Sequence, residues 1–192
     1  LSSKPNICSN TDGANVSINN FAASPKGSAT ASRQDTACAA IISTTTVDTN
    51  NLGLTNNTGG AISVAENAKI VIKNLQLLGT SNVNNFVAGI FSHATFANGK
   101  IDIKGDVTID NLNSVSCAYG VFAQTCNINI TGTLSVTNID ANRVIYGVGV
   151  KTGTTGAVYI SGNVTITDTS VHESMESADG IRGYAGVTLD GA

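Results

Sequence analysis

The chain has 192 residues, of which 12% are charged and 5% aromatic, with a formal net charge of −3, four cysteines and no tryptophan. That length holds one domain with a single core. The weak negative charge excludes the basic surface that nucleic acid or an anionic membrane attracts. No apolar run approaches the roughly 18 residues of a membrane helix, and the scarcity of aromatics argues against a groove built from stacked aromatic platforms.

Residues 1–40 carry Cys8 and Cys38, with short apolar signals at Val16, Ile18, Phe21 and 39–42 interrupted by Ser, Gly and Pro25. They are predicted to form an N-terminal cap, because the first unit of a stacked fold needs covering. No basic segment followed by an apolar stretch marks a secretory leader. Residues 41–58 read as a degenerate structural unit. The stretch GGAISVAENAKIVIKNLQLLG (59–79) reads as a better one, its Ile70, Ile72 and Leu75 aligning with Val107, Ile109 and Leu112 further on.

From Val87 the chain repeats one pattern three times: VAGIFSHATFANGKIDIKGDVTIDNLN (87–113), AYGVFAQTCNINITGTLSVTNID (118–140) and IYGVGVKTGTTGAVYISGNVTITDTS (145–170), with a fourth copy opening at ADGIRGYAGVTLDGA. Gly89, Gly120, Gly147 and Gly180 recur at spacings of 31, 27 and 33 residues, and Gly105, Gly132 and Gly162 at 27 and 30. A period of this kind belongs to stacked units. Within a copy, Ile101, Ile103, Val107 and Ile109 alternate with Asp102, Lys104, Thr108 and Asp110, a period of two that specifies strands and excludes helical repeats. Gly105, Gly132 and Gly162 fall between runs, where a corner calls for positive φ.

Stacking the copies aligns Ile103, Ile130 and Ile160, then Val107, Leu134 and Val164, then Ile109, Val136 and Ile166. In-register copies require parallel pairing at about 4.8 Å per layer. The predicted fold is therefore all-β: a right-handed parallel β-helix solenoid over 41–192, with about five coils and the cap at 1–40. The left-handed hexapeptide solenoid lacks its apolar residue at every sixth position. Ala192 falls partway through a repeat, which predicts a piece truncated at the C-terminus from a longer protein.

Four cysteines point to an oxidising compartment. Proximity favours Cys8 with Cys38 and Cys117 with Cys126. The second pair is in tension with an extended strand over 118–123, whose ends lie about 20 Å apart where a disulfide needs about 7 Å or less between Cα atoms. Either a bend intervenes or both thiols are free.

Chemistry-bearing patterns are few. Asp102 aligns with Asn129 and Tyr159, Asp106 with Thr133 and Asn163, and Asp110 with Thr137 and Thr167, so no column of carboxylates provides acid and base. No enzyme, catalytic residue or cofactor is predicted. His93 and His172 lack ligand spacing, so no metal is expected. KTGTTG (151–156) lacks the Gly-Lys-Ser/Thr ending of a phosphate loop and reads as a corner. Asn111, Asn138 and Asp168 close the last run of each copy, either as stacked amides or as polar turn residues. Sequons occur at Asn15, Asn56, Asn129 and Asn163. The links between copies vary in length, and the longest, VHESMESAD (171–179), gathers His172, Glu173, Glu176 and Asp179 as the candidate binding loop.

The copies GKIDIKGDVTIDNL and TGAVYISGNVTITDTS, with their GVFA and GVGV openings, resemble the passenger domains of type V autotransporters of Gram-negative bacteria over roughly residues 40–192. That resemblance implies a right-handed β-helix exported through the periplasm and outer membrane, displayed at the cell surface, and acting as an adhesin. Its partners would be host cell-surface proteins or glycans, neighbouring cells, or further copies of itself. The GDSGS-like motif of protease passengers is missing, and four cysteines exceed what such passengers usually hold. The alternatives are a polysaccharide-acting enzyme of the pectate-lyase type and a stalk that only carries a distal domain.

Overall fold

The computed structural model describes residues 15–18, 22–23, 37–44, 55–58, 61–64, 66, 69–77, 86–92, 100–150, 156–170, 172 and 175–190. Cys8, His93, Glu173 and residues 151–155 lie outside them. In chain order the strands are β1 (Asn15–Ile18), β2 (Ala22–Ala23), β3 (Ala37–Thr44), β4 (Thr55–Thr58), β5 (Ala61–Val64), β6 (Lys69–Leu77), β7 (Phe86–Ser92), β8 (Lys100–Ile103), β9 (Asp106–Ser114), β10 (Cys117–Ala123), β11 (Asn127–Ile130), β12 (Thr133–Ala141), β13 (Val144–Val150), β14 (Ala157–Ile160), β15 (Asn163–Ser170), β16 (Ser177–Arg182) and β17 (Gly186–Leu189). The described residues contain no helix, and hence none long and apolar enough to cross a membrane.

All pairing is parallel, in three sheets. Sheet A runs β1-β6-β9-β12-β15 with β2 also on β6, sheet B runs β16-β13-β10-β7-β3-β4, and sheet C runs β17-β14-β11-β8-β5. From β5 onward the chain visits C, A and B in turn, and each circuit lays its strand beside the equivalent strand of the circuit before. This arrangement is compatible with a parallel β-helix. Strand β3 runs through residue 40, where the sequence placed the edge of the cap, and its backbone continues sheet B beside β7.

The registers are those the repeat dictates. Ile103, Ile130 and Ile160 are consecutive partners, as are Val107, Leu134 and Val164, and Ile109, Val136 and Ile166. Ile70, Ile72 and Leu75 pair with Val107, Ile109 and Leu112. Shifting one copy by a single residue would turn its apolar set outward, so the pattern specifies the register. The inward residues form one continuous cluster, in which Val164 and Ile166 are partly buried and the other seven residues of the three predicted columns are buried. Strand β15 ends its sheet, so no described strand covers the far side of its inward residues. The same edge leaves Val187 at 43% and Leu189 at 68% exposure, although they continue the inward columns of sheet C.

The corner glycines act differently from the expectation. Positive φ among described non-glycine residues falls on Asn111 (62°), Asn138 (55°) and Asp168 (55°), and among glycines on Gly186, not on Gly105, Gly132 or Gly162. What excludes a side chain at the corners is stacking: a Cβ at Gly132 would overlap the carbonyl of Gly105, and one at Gly162 the carbonyl of Gly132. The Asn111 column bends sheet A. Val107 and Ile109 point inward, the left-handed residue shifts the alternation by one, and Leu112 and Ser114 then point inward. Asn and Asp tolerate that conformation better than other side chains, which favours the turn-residue reading of this column.

Sheet B slips at its own glycine column. Ala118 and Val121 both join the interior cluster, with Gly120 between them. Here the glycines seat β-branched side chains from sheet A: a Cβ at Gly89 would lie 2.6 Å from Cδ1 of Ile109, and one at Gly147 2.5 Å from Cδ1 of Ile166.

Cys117 and Cys126 are buried and not joined by a disulfide. Of the two alternatives, the structure takes the one without a link. Strand β10 is extended over Cys117–Ala123, and the two residues pack in different clusters, Cys117 with the aromatics outside sheet B and Cys126 in the interior.

Candidate functional site

Alternation on sheet C points Ile101, Ile103, Ile128, Ile130, Val158 and Ile160 inward, so Asp102, Asn129, Tyr159 and Thr188 form one outward column. A second column stands beside it at the corner into sheet A. The amides of Thr131 and Ser161 donate to the carbonyls of Ile103 (2.9 Å) and Ile130 (3.0 Å), and that of Asp190 to Ile160 (2.8 Å). Each bond reaches back one circuit, which stacks Thr131, Ser161 and Asp190.

The two columns enclose a lateral groove of about 360 Å³ lined by Asp102, Asn129, Thr131, Tyr159, Ile160, Ser161, Thr188 and Asp190. Tyr159 is 44% exposed and Ile160 is buried. Asp102 is steadied by Lys100, whose Nζ lies 3.3 Å from its Oδ2. The groove thus offers one aromatic surface, one amide, three hydroxyls besides the phenol, and two carboxylates. Among the described residues no three His, Cys, Asp or Glu side chains gather as metal ligands.

Of the predicted binding-loop residues, His172, Glu176 and Asp179 are among those described, and each has a partner. His172 Nε2 lies 2.6 Å from Oδ1 of Asp140, and Glu176 pairs with Arg143. Asp179 lies on β16, where Ser177 Oγ donates to its Oδ2 at 2.8 Å and Arg182 Nη1 at 3.0 Å. The structure therefore divides His172, Glu176 and Asp179 among separate pairs. Two of these pairs tie neighbouring circuits together.

The aromatic residues also behave unexpectedly. On the face of sheet B away from the interior, Phe86, Phe91, Tyr119, Phe122 and Tyr146 form a second buried cluster with Ala88 and Cys117. Tyr119 stacks on Phe122 at 4.1 Å between centroids and on Tyr146 at 5.2 Å. Arg182 closes the stack, its guanidinium 5.2 Å from the Tyr146 ring centroid. Burial pushes the Tyr119 hydroxyl well above its usual pKa, with Cys117 adding to the effect. Burial also raises Tyr146, which Arg182 partly offsets. Phe91, Phe122, Tyr119 and Tyr146 stack in turn while Phe86 meets Phe91 and Phe122 edge-on, and all five are buried and offer no open platform.

Sequence reasoning had aligned Asp102, Asn129 and Tyr159 but treated them only as a failed carboxylate column. Asp190 was not singled out. It reaches the groove that Asp102 also lines because successive circuits stack at one corner. No protein-family model matches the chain, and neither a curated protein nor a solved structure is similar to it.

Proposed function

We propose that this chain is a right-handed parallel β-helix of about five coils, capped by residues 1–40. It serves as a surface-displayed adhesin or interaction module of the autotransporter passenger type, and it binds host or neighbouring-cell molecules through its lateral face. In-register parallel strands, visited in the order C, A, B, support the solenoid. The observation that carries the binding role is the sheet C groove, a polar cleft with one exposed aromatic. Surface display rests on the repeat pattern alone, since the unlinked Cys117 and Cys126 give no support for an oxidising compartment.

Beads coated with the protein test this reading by their adherence to host and bacterial cells. A groove variant (Asn129→Ala, Tyr159→Ala, Thr188→Ala) is compared with a loop variant (Glu173→Gln, Glu176→Gln, Asp179→Asn). Adherence lost only in the groove variant supports binding through sheet C, whereas loss only in the loop variant returns the role to 171–179. Wild-type beads that adhere no better than bare ones overturn the adhesin and leave the stalk.

The polysaccharide-acting alternative has less support: Asp102 and Asp190 line the same groove, but three strand steps of about 4.8 Å separate them, wider than the roughly 6.5–9.5 Å of an inverting carboxylate pair. Release of reducing ends from a polysaccharide, abolished by Asp102→Asn or Asp190→Asn, would establish it. Binding without release would exclude it.

A further inference from the structure

We infer that the sheet C groove takes a neutral, hydroxyl-rich oligosaccharide lying along the stack of strands, with one sugar ring seated on Tyr159. This rests on sheet C being the binding face and names the ligand class for it. Asp102, Asn129, Tyr159 and Thr188 succeed one another at consecutive strands, so the column spans about 14 Å at 4.8 Å per step. One step is close to the length of a pyranose ring. The groove therefore repeats at the interval of a linear glycan and has room for about three sugar units.

The chemistry of the lining selects among ligands. The exposed ring of Tyr159 suits the apolar C–H face of a pyranose, because an aromatic presents large contact area at low entropic cost. Around it, Asp102, Asn129, Thr131, Ser161, Thr188 and Asp190 combine acceptors with groups that both donate and accept, as hydroxyl recognition requires. Two carboxylates and no lining cation repel sulfated or uronic acid chains. Asp102 is already paired with Lys100, which reduces its pull on a cationic ligand. Strands β8, β11 and β14 are each paired on both sides, so an extended peptide finds a free backbone edge only at β17, at one end of the column and not along it.

The test is an array of neutral, amino-bearing and sulfated or uronic acid oligosaccharides probed with the whole chain, followed by calorimetry on the best neutral binder. Neutral oligosaccharides should bind, with affinity unchanged between low and high salt because no charge pair forms. Tyr159→Ala should weaken binding about tenfold or more, Tyr159→Phe should stay near wild type, and Asn129→Ala should fall between. Equal thermal midpoints establish that the variants fold. Preference for acidic glycans, affinity that falls with salt, or a Tyr159→Ala variant that binds like wild type would overturn the inference. Absence of glycan binding, with bead adherence still lost in the groove variant, overturns the ligand class while the binding face stands. Failure of adherence as well removes both.

Discussion

Gly120 seats Val136 across the interior: a Cβ added at Gly120 would lie 2.7 Å from Cγ1 and 2.9 Å from Cγ2 of Val136, and would overlap the carbonyl of Gly147. The glycine is required by this close approach between sheets A and B. Gly120→Ala should cost about 1–3 kcal/mol, as overpacking does, measured by urea unfolding. Val136→Ala added to it should restore part of the loss, because the two sites share one space. The overlap with Gly147 should keep the rescue incomplete. A neutral Gly120→Ala would show that the sheets are further apart.

Ile130 occupies the middle of the column Val64, Ile103, Ile130, Ile160 and Leu189 and is fully buried. Ile130→Ala should cost about 2–5 kcal/mol. Ile166→Ala, on the partly covered strand β15, should cost less. Equal losses in the two variants would mean that the edge is covered in solution.

Asn138 holds φ at 55°, and its Nδ2 donates to Oδ1 of Asp110 at 2.6 Å. Asn138→Val should lose both the hydrogen bond and roughly 1–2 kcal/mol of conformational energy, whereas Asn138→Gly should lose little beyond the bond. Melting temperatures in the order wild type, Gly, Val check this. Val above Gly would contradict the left-handed turn.

Cys117 and Cys126 are buried and unlinked, and burial raises the Cys126 thiol above its usual value. A raised thiol pKa means less thiolate, and the thiolate is the reactive form. Neither residue should react with a thiol reagent in the folded protein near pH 8, and both should react after unfolding without reductant. Peptide mapping that finds the two joined by a disulfide would contradict this arrangement.

Tyr119 and Tyr146 are raised above the tyrosine value of 10.0, chiefly by burial. The neutral form is favoured by folding, so this contribution is fully present below pH 10 and is lost as pH rises above it. Unfolding free energy should decline from about pH 10 upward. Tyr146→Phe should flatten that decline, unless the slope has another source, in which case it would be unchanged.

Much of the architecture was legible in the chain itself. Alternation with a period of two and glycines repeating at near-constant spacing decide which residues share a column, because a parallel stack in register maps sequence alignment directly onto space. That is why Ile103, Ile130 and Ile160, or Val107, Leu134 and Val164, could be aligned from the chain alone. What the chain could not disclose depends on geometry within a circuit. The left-handed turn at Asn111 and the slip at Gly120 shift the alternation, and both follow from bending a sheet around a closed core. The aromatics of sheet B are buried on the face away from the interior, which no local period encodes. His172 meets Asp140, and Asp190 joins Asp102, Asn129 and Tyr159 around one groove, only because successive circuits stack. Charge in a loop looks free in one dimension; stacking supplies its partner from the circuit before, and the same stacking assembles the groove from residues far apart in the chain.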